Sequence, residues 1–425
     1  MFRRRLSRAR HRRAAAITAT IALAVAPAIG LASPAGSSTE TPHVQPHGVS
    51  CVSTTLCFAV GEIAGTNFDA PTPLIEQWNG KAWTVVASAI LPPASFARLT
   101  GISCAGATNC FAVGDQSDAT SVASSAFVER WNGKTWSIVP TPNPSASVHD
   151  RPALHNVSCT STTFCVAAGE LVSADTNNQY IGVRGILEQW NGHVWSLVSS
   201  PTPRGSLSTR LFGASCTSPS ACFAVGNQTL KIRPPGTYSV GPVTLTERWD
   251  GKAWTVVASR TEDIGEGTTL ESVSCTSRTS CVAAGNYLEG GPGRPRLLTE
   301  RWNGKSWSLL ANPVPNRQYT DLPGVSCTGT TSCMTAGYSS HSWAAGVDSA
   351  ALTERWNGNT WSIVASRTAG ARYSNLEAVS CVKANYCVAV GHSSATLEGT
   401  YRALIEWWDG TKWSTMPSPT PPATS

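Results

Sequence analysis

The sequence predicts an all-β fold, a seven-bladed β-propeller with four antiparallel strands per blade, on three observations. A unit of about 50 residues recurs seven times along the 425 residues. All 14 cysteines fall into seven pairs of one spacing, C-x5-C, and 14 of the 16 tryptophans recur as a Trp-x4-Trp hairpin near the end of each copy. A self-similar period of this length belongs to propellers and solenoids, and it overrides the two or three domains that length alone would suggest.

Taken from the N-terminus, residues 1–32 are expected to be an export signal. Arg3, Arg4, Arg5, Arg8, Arg10, Arg12 and Arg13 precede an uncharged run from Ala14 to Ala32, with small residues at plausible cleavage points. An uncleaved anchor is the alternative, disfavoured by the alanine content of the run and by Pro27 and Gly30. Without those seven arginines the chain has 25 basic against 26 acidic residues, so its formal basicity is no argument for nucleic-acid binding. Residues 33–47 read as a linker, the copies lie near 48–98, 99–153, 154–210, 211–269, 270–321, 322–375 and 376–416, and 417–425 form a Pro-rich tail expected to be mobile.

Within each copy the pattern is that of strands, and no stretch sustains a 3.6-residue apolar period. The first strand ends in a motif such as Val273-Ser274-Cys275, and the second begins at the next cysteine and runs to a glycine. Five residues rich in Ser, Thr and Gly between the cysteines predict a hairpin, with the disulfide just outside its turn. The expected bonds are Cys51–Cys57, Cys104–Cys110, Cys159–Cys165, Cys216–Cys222, Cys275–Cys281, Cys327–Cys333 and Cys381–Cys387, each stabilising its hairpin by roughly 2 kcal/mol on the chain-entropy model. Zinc is the rival reading, but each pair lacks a second Cys or His pair. Disulfides in turn imply a secreted protein. The third strand, as in Leu298-Thr299-Glu300-Arg301-Trp302, meets an Asn-Gly or Asp-Gly turn, the strongest short hairpin signal, and the fourth opens on the second Trp.

Residues repeated seven times are expected to be frame. This applies to the Trp pairs and to Glu76, Glu129, Glu188, Glu247, Glu300, Glu354 and Glu406, which should hydrogen-bond between strands or blades. Function is sought where the copies disagree. Successive first cysteines are 52 to 59 residues apart, and the extra length lies in the connections leaving strands two and four, which share one face of a propeller. Trp343 is the leading ligand-contact candidate there, among the irregular aromatics Phe68, Tyr180, Tyr238, Tyr287, Tyr319, Tyr338, Tyr373 and Tyr401. The residue after each copy's glycine also varies: Glu62, Asp115, Glu170, Asn227, Asn286, Tyr338 and His392. Three acids in adjacent copies could hold a cation or a polar ligand.

The hairpin ending in Gly, the apolar-x-Glu-x-aromatic strand and the Trp opening the fourth strand resemble the kelch repeat of galactose-oxidase-type propellers, over all seven copies. The chain departs from that repeat in having one glycine where kelch has a Gly-Gly doublet, in a shorter aromatic-to-Trp spacing and in its cysteines. The Gly-x-x-Trp turn resembles the sialidase Asp-box without its aspartate. The resemblance therefore implies a fold, and no copper-binding or sialidase residue carries over. The expectation is a monomeric, non-enzymatic binder of an extracellular polysaccharide or protein, without cofactor or metal, touching a membrane only during export. A polysaccharide lyase or glycoside hydrolase on the same face is the alternative.

Overall fold

The computed structural model describes residues 42–65, 71–91, 95–118, 124–145, 147–230, 241–260, 267–289, 293–317, 319–341, 348–367, 371–396 and 399–419. The chain divides into Met1–Thr39 and Glu40–Ser425. The expected export signal lies outside the described residues, as do Phe68, Tyr238 and Trp343. Among the described residues no helix is long and apolar enough to cross a membrane. There are 28 strands, four per repeat, numbered β1 to β28 in chain order. In the first repeat these are β1 (His43–Ser53), β2 (Leu56–Ala64), β3 (Thr72–Trp78) and β4 (Trp83–Val85). The first strand thus begins inside the segment read as a linker.

The sequence motif of each repeat acts through short-range geometry. Paired cysteines sit directly opposite across the first hairpin, as in Cys51 against Cys57. All seven disulfides form, with Cα atoms 3.9 to 4.0 Å apart. No cysteine is free, which suits an oxidising extracellular environment. The first Trp of each second hairpin donates its indole N–H to a carbonyl in the disulfide turn, as Trp78 does to Thr54 at 3.1 Å and Trp408 to Ala384 at 3.2 Å. One hairpin thereby clamps the other. The Asn-Gly and Asp-Gly turns place their glycines at φ between 89° and 101°, where a side chain is disfavoured.

Packing between repeats uses both faces of every sheet. One face of a repeat meets the opposite face of the next in successive clusters, such as Phe111, Val113 and Val128 against Leu154, Trp190 and Trp195. The last cluster joins Val388, Val390 and Ile405 to Val49, Ala59 and Trp83, so the seventh repeat packs on the first. A polar belt follows the same path. The serine before each first cysteine accepts from the first-cysteine N–H of the next repeat, from Ser50 with Cys104 at 3.1 Å round to Ser380 with Cys51 at 3.0 Å. The repeated glutamates are all fully buried, and all but Glu188 are capped across the same boundaries: Ser88 to Glu129, Ser200 to Glu247, Ser259 to Glu300, Asn312 to Glu354 and Ser366 to Glu406. Ser418, after the last strand, caps Glu76 of the first repeat at 2.6 Å and completes the series. Arginines after the glutamates lie over the next repeat's Trp, as Arg130 does over Trp190 at 5.4 Å.

The expected count of seven separate blades requires correction. Five blades stand as independent four-stranded sheets, spanning His43–Val85, Ser95–Ile138, Arg151–Val198, Ser206–Val256 and Thr269–Leu310. The remaining strands, β21 (Tyr319–Gly329), β22 (Ser332–Ser340), β23 (Ser349–Trp356), β24 (Trp361–Val364), β25 (Tyr373–Lys383), β26 (Tyr386–Ser394), β27 (Arg402–Trp408) and β28 (Trp413–Met416), form one eight-stranded sheet. A parallel bridge between Ser349 and Tyr373 joins its halves. Beside that bridge the Ser374 hydroxyl accepts from the Ala351 N–H at 3.1 Å and reaches the Ser349 carbonyl at 3.5 Å.

Candidate functional site

The first strands of the seven repeats lie side by side in a closed ring, β25 beside β1, and surround a central cavity of about 660 Å³. Every one of them carries a β-bulge at the same place, four residues before the first cysteine. A bulge leaves one residue unpaired and re-aims its side chain. The residues there are His47, Thr100, His155, Phe212, Glu271, Pro323 and Glu377, and all but Phe212 and Pro323 bear a polar side chain. All seven line the cavity. The repeated glycine stands opposite. A Cβ on Gly114 or Gly226 would lie 1.9 Å from the carbonyl oxygen of Arg98 or Arg210, so only glycine lets the bulged strand approach.

This column was missed in the search for variable positions, although it is legible: reading residue by residue down the seven copies exposes it four places before each first cysteine. The variable residues after the glycine lie beside it, on strand two. Each pairs across the hairpin with a residue of strand one, as in Glu62 with Gln45, Asp115 with Arg98 and His392 with Asn375. Because strand one enters from the long loops and ends in the disulfide turn, these positions face the loop-bearing end.

In repeats one to four the acids are matched by bases. Asp115 is held by Arg98 at 2.8 Å and Glu170 by Arg210 at 2.7 Å, with His155 3.8 Å away. Glu62 accepts from Gln45 at 3.4 Å and has His47 at 3.9 Å. Burial works to raise the carboxyls of Glu62 and Glu170, but hydrogen bonds and positive charge from His47 and Arg98, and from His155 and Arg210, outweigh it and hold both below the usual range. The three acids thus each have their own partner and do not converge on a common cation. Among the described residues no group of three or more His, Cys, Asp or Glu could hold a metal.

Repeats five to seven are different. The Asn286 amide donates to Glu271 at 2.9 Å and to Asp321 at 2.7 Å, and the two carboxyls hydrogen-bond to one another. Burial, then the charges of Asp321 and Glu377, pushes Glu271 well up; burial likewise raises Asp321 and Glu377. Burial and the charges of Asp321, Glu377 and Glu271 suppress ionisation of Tyr338, whose backbone pairs with Asp321 across the hairpin. His392 lies 3.7 Å from Glu377, but burial and the charge of His47 lower it to about 4, so it is neutral at pH 7 and the contact is no ion pair. Beside this cluster is a second pocket of about 340 Å³, lined by Asn286, Leu288, Pro295, Tyr319, Thr320, Asp321, Tyr338 and Ser340.

Of the expected site residues, Glu62, Asp115 and Glu170 therefore lie in the paired half of the mouth and Tyr338 and His392 in the acidic half. Of the irregular aromatics, Tyr401 packs edge-on to His392 at 4.9 Å, Tyr373 is buried and Tyr180 is exposed.

No family model and no curated protein sequence matches the chain. Among solved structures it is similar to a PL25 polysaccharide lyase, an ulvan lyase bound to -[GlcA(1-4)Rha3S]-, at 9% identity over 89% of this chain and 96% of that one, with a TM-score of 0.51. It is also similar to YCF48 bound to D1 peptide, at 12% identity over 78% of this chain and 88% of that one, with a TM-score of 0.42. The kelch type is not confirmed by these neighbours, and identities this low speak for fold alone. The chain is thus a β-propeller of disulfide-bearing blades, resembling a polysaccharide lyase in architecture.

Proposed function

We propose that the protein is a secreted, monomeric, non-enzymatic propeller that binds a polysaccharide at the loop-side mouth of its central cavity. The observation that carries this reading is the gathering of the non-repeated polar side chains around two cavities, one with two tyrosines in its wall. Pockets of about 300–1,000 Å³ with a few convergent polar groups are the usual form of ligand sites. The polysaccharide bound to the lyase neighbour fits a carbohydrate partner. A glycan array probed with the full chain, followed by calorimetry on the hits, tests the proposal. Tight binding to one polysaccharide class, weakened by Tyr338→Ala, is expected; an empty array would overturn it.

The hydrogen-bonded pair Glu271 and Asp321 gives the enzymatic alternative its one specific support, since paired carboxyls can divide acid and base roles. Two features weigh against it. Hydrolysis wants carboxyl groups about 5 Å apart or more, on opposite sides of the scissile bond, whereas Glu271 and Asp321 share the amide nitrogen of Asn286, at 2.9 and 2.7 Å. Eliminative cleavage wants a cation to neutralise the uronate carboxylate, and Arg98 and Arg210 are already engaged by Asp115 and Glu170. Release of reducing ends or unsaturated products by wild type, abolished in Asp321→Asn, would establish the enzymatic reading instead.

A further inference from the structure

The pocket beside the acidic half of the mouth has a chemistry that narrows the ligand. Its wall presents the side chains of Tyr319 and Tyr338, the amide of Asn286, the hydroxyl of Ser340 and the carboxyl of Asp321, and contains no Lys, Arg or His. Aromatic faces and hydrogen-bonding groups together suit a sugar ring. Asn286 links this pocket to the central cavity, because the same amide holds Asp321 on one side and Glu271 on the other. Glu377, also in the cavity wall, acts on Asp321 and on the Tyr338 phenol.

Asp321 is the one carboxyl among the described residues of this wall; Glu271, joined to it through Asn286, and Glu377 line the adjoining central cavity. The bases on that side are His47, whose charge reaches Glu377 but which also lies against Glu62, and the neutral His392. A uronate or sulfated unit in the pocket would bring its anion against Asp321. A protonated amine would give Asp321 the partner that Arg98 and Arg210 give the acids across the cavity.

We propose that this pocket takes a cationic amino sugar, its ring against Tyr319 and Tyr338 and its ammonium group against the carboxyl of Asp321, which Asn286 links to Glu271. The inference rests on the polysaccharide-binding reading and adds the class of sugar.

The test is calorimetric titration of the full chain with three oligosaccharide probes of equal length: a β-1,4-glucosamine tetramer, its fully N-acetylated counterpart, and a tetrauronate. The glucosamine tetramer is expected to bind at least about tenfold more tightly than the acetylated one, and the uronate not at all. Asp321→Asn should erase most of that preference, bringing the two tetramers to similar affinity, with circular dichroism confirming the fold of the variant. Equal affinity for the two tetramers, or a preference for the uronate, overturns the amino-sugar assignment and leaves polysaccharide binding standing. Failure of every saccharide overturns both. A lysine-rich peptide bound more tightly than the glucosamine tetramer would also overturn the assignment, in favour of a protein partner.

Discussion

The disulfide-turn end and the loop-side mouth are built from the same strands, yet they treat polar groups in opposite ways. At the turn end each polar group meets the same partner in successive repeats: serine hydroxyl to cysteine N–H, indole N–H to turn carbonyl. At the mouth every repeat differs, and its groups are satisfied by unlike neighbours, by an arginine in one repeat and an asparagine in another. The difference teaches that repetition marks groups whose partners lie within the repeat or at its boundary, where one solution serves throughout. The bulge frees a single position per repeat from that rule.

The strongest way to break the comparison is to damage the frame that makes the bulges. Gly226→Ala would put a Cβ 1.9 Å from the Arg210 carbonyl oxygen, where backbone must move. A loss of about 3 kcal/mol or more in urea unfolding, or failure to fold, is expected, against less than about 1 kcal/mol for a mouth substitution such as Thr100→Ser.

The buried glutamates give the next largest effect. Burial raises Glu188 and Glu247 to about 8, and Glu76, Glu354 and Glu406 to about 7, from an ordinary value of 4.5. A carboxyl raised in the folded state contributes stability that is full below its unfolded pKa and is lost as pH climbs through the folded one. The Tm should therefore fall between about pH 4.5 and pH 8. The mouth carries the opposite sign: Glu62 and Glu170 are held low, so their contribution is lost as pH falls below the usual carboxylate range. Glu188 sharpens the point, since neither of its oxygens has a protein partner, where most of the other repeats place a Ser or Asn cap. Glu188→Gln should raise stability by on the order of 2 kcal/mol at pH 9 and leave it nearly unchanged at pH 5.

Ser418→Ala removes the cap that joins the tail to the first repeat and leaves the Glu76 carboxyl without its hydroxyl donor. A cost of about 1–3 kcal/mol is expected by thermal unfolding, above that of an exposed strand residue such as Thr84. The smallest effect on stability belongs to the mouth. Tyr338→Phe should change the unfolding free energy by no more than about 0.5 kcal/mol, while a saccharide titration registers the loss of its hydroxyl.

Much of the fold was legible because its determinants are local. The six-residue offset of Cys51 and Cys57 implies their pairing across a hairpin, and Asn79-Gly80 implies the next turn. The number of separate sheets was not legible. It turns on one parallel bridge between Ser349 and Tyr373, backbone groups of two repeats that no local motif brings together. The site was half legible. Glu62, Asp115, Glu170, Tyr338 and His392 were singled out from their varying column, but their partners come from strand one and from adjacent repeats. The bulge residues went unnoticed because the unpaired position has no local signature, only its variation down the copies. Trp343 lies outside the described residues.

The sequence alone determined the repeat, its strands, its disulfides and the division between repeated frame and variable loops, since these follow from spacings within about 30 residues. Tertiary structure decided what the variable residues are to each other. Arg98 and Arg210 neutralise their acids, while Glu271, Asp321 and Glu377 stand together without such a base. That outcome depends on bulges turning side chains from different repeats into one cavity and on burial setting their charge. Both are properties of the closed ring, and neither belongs to any one repeat.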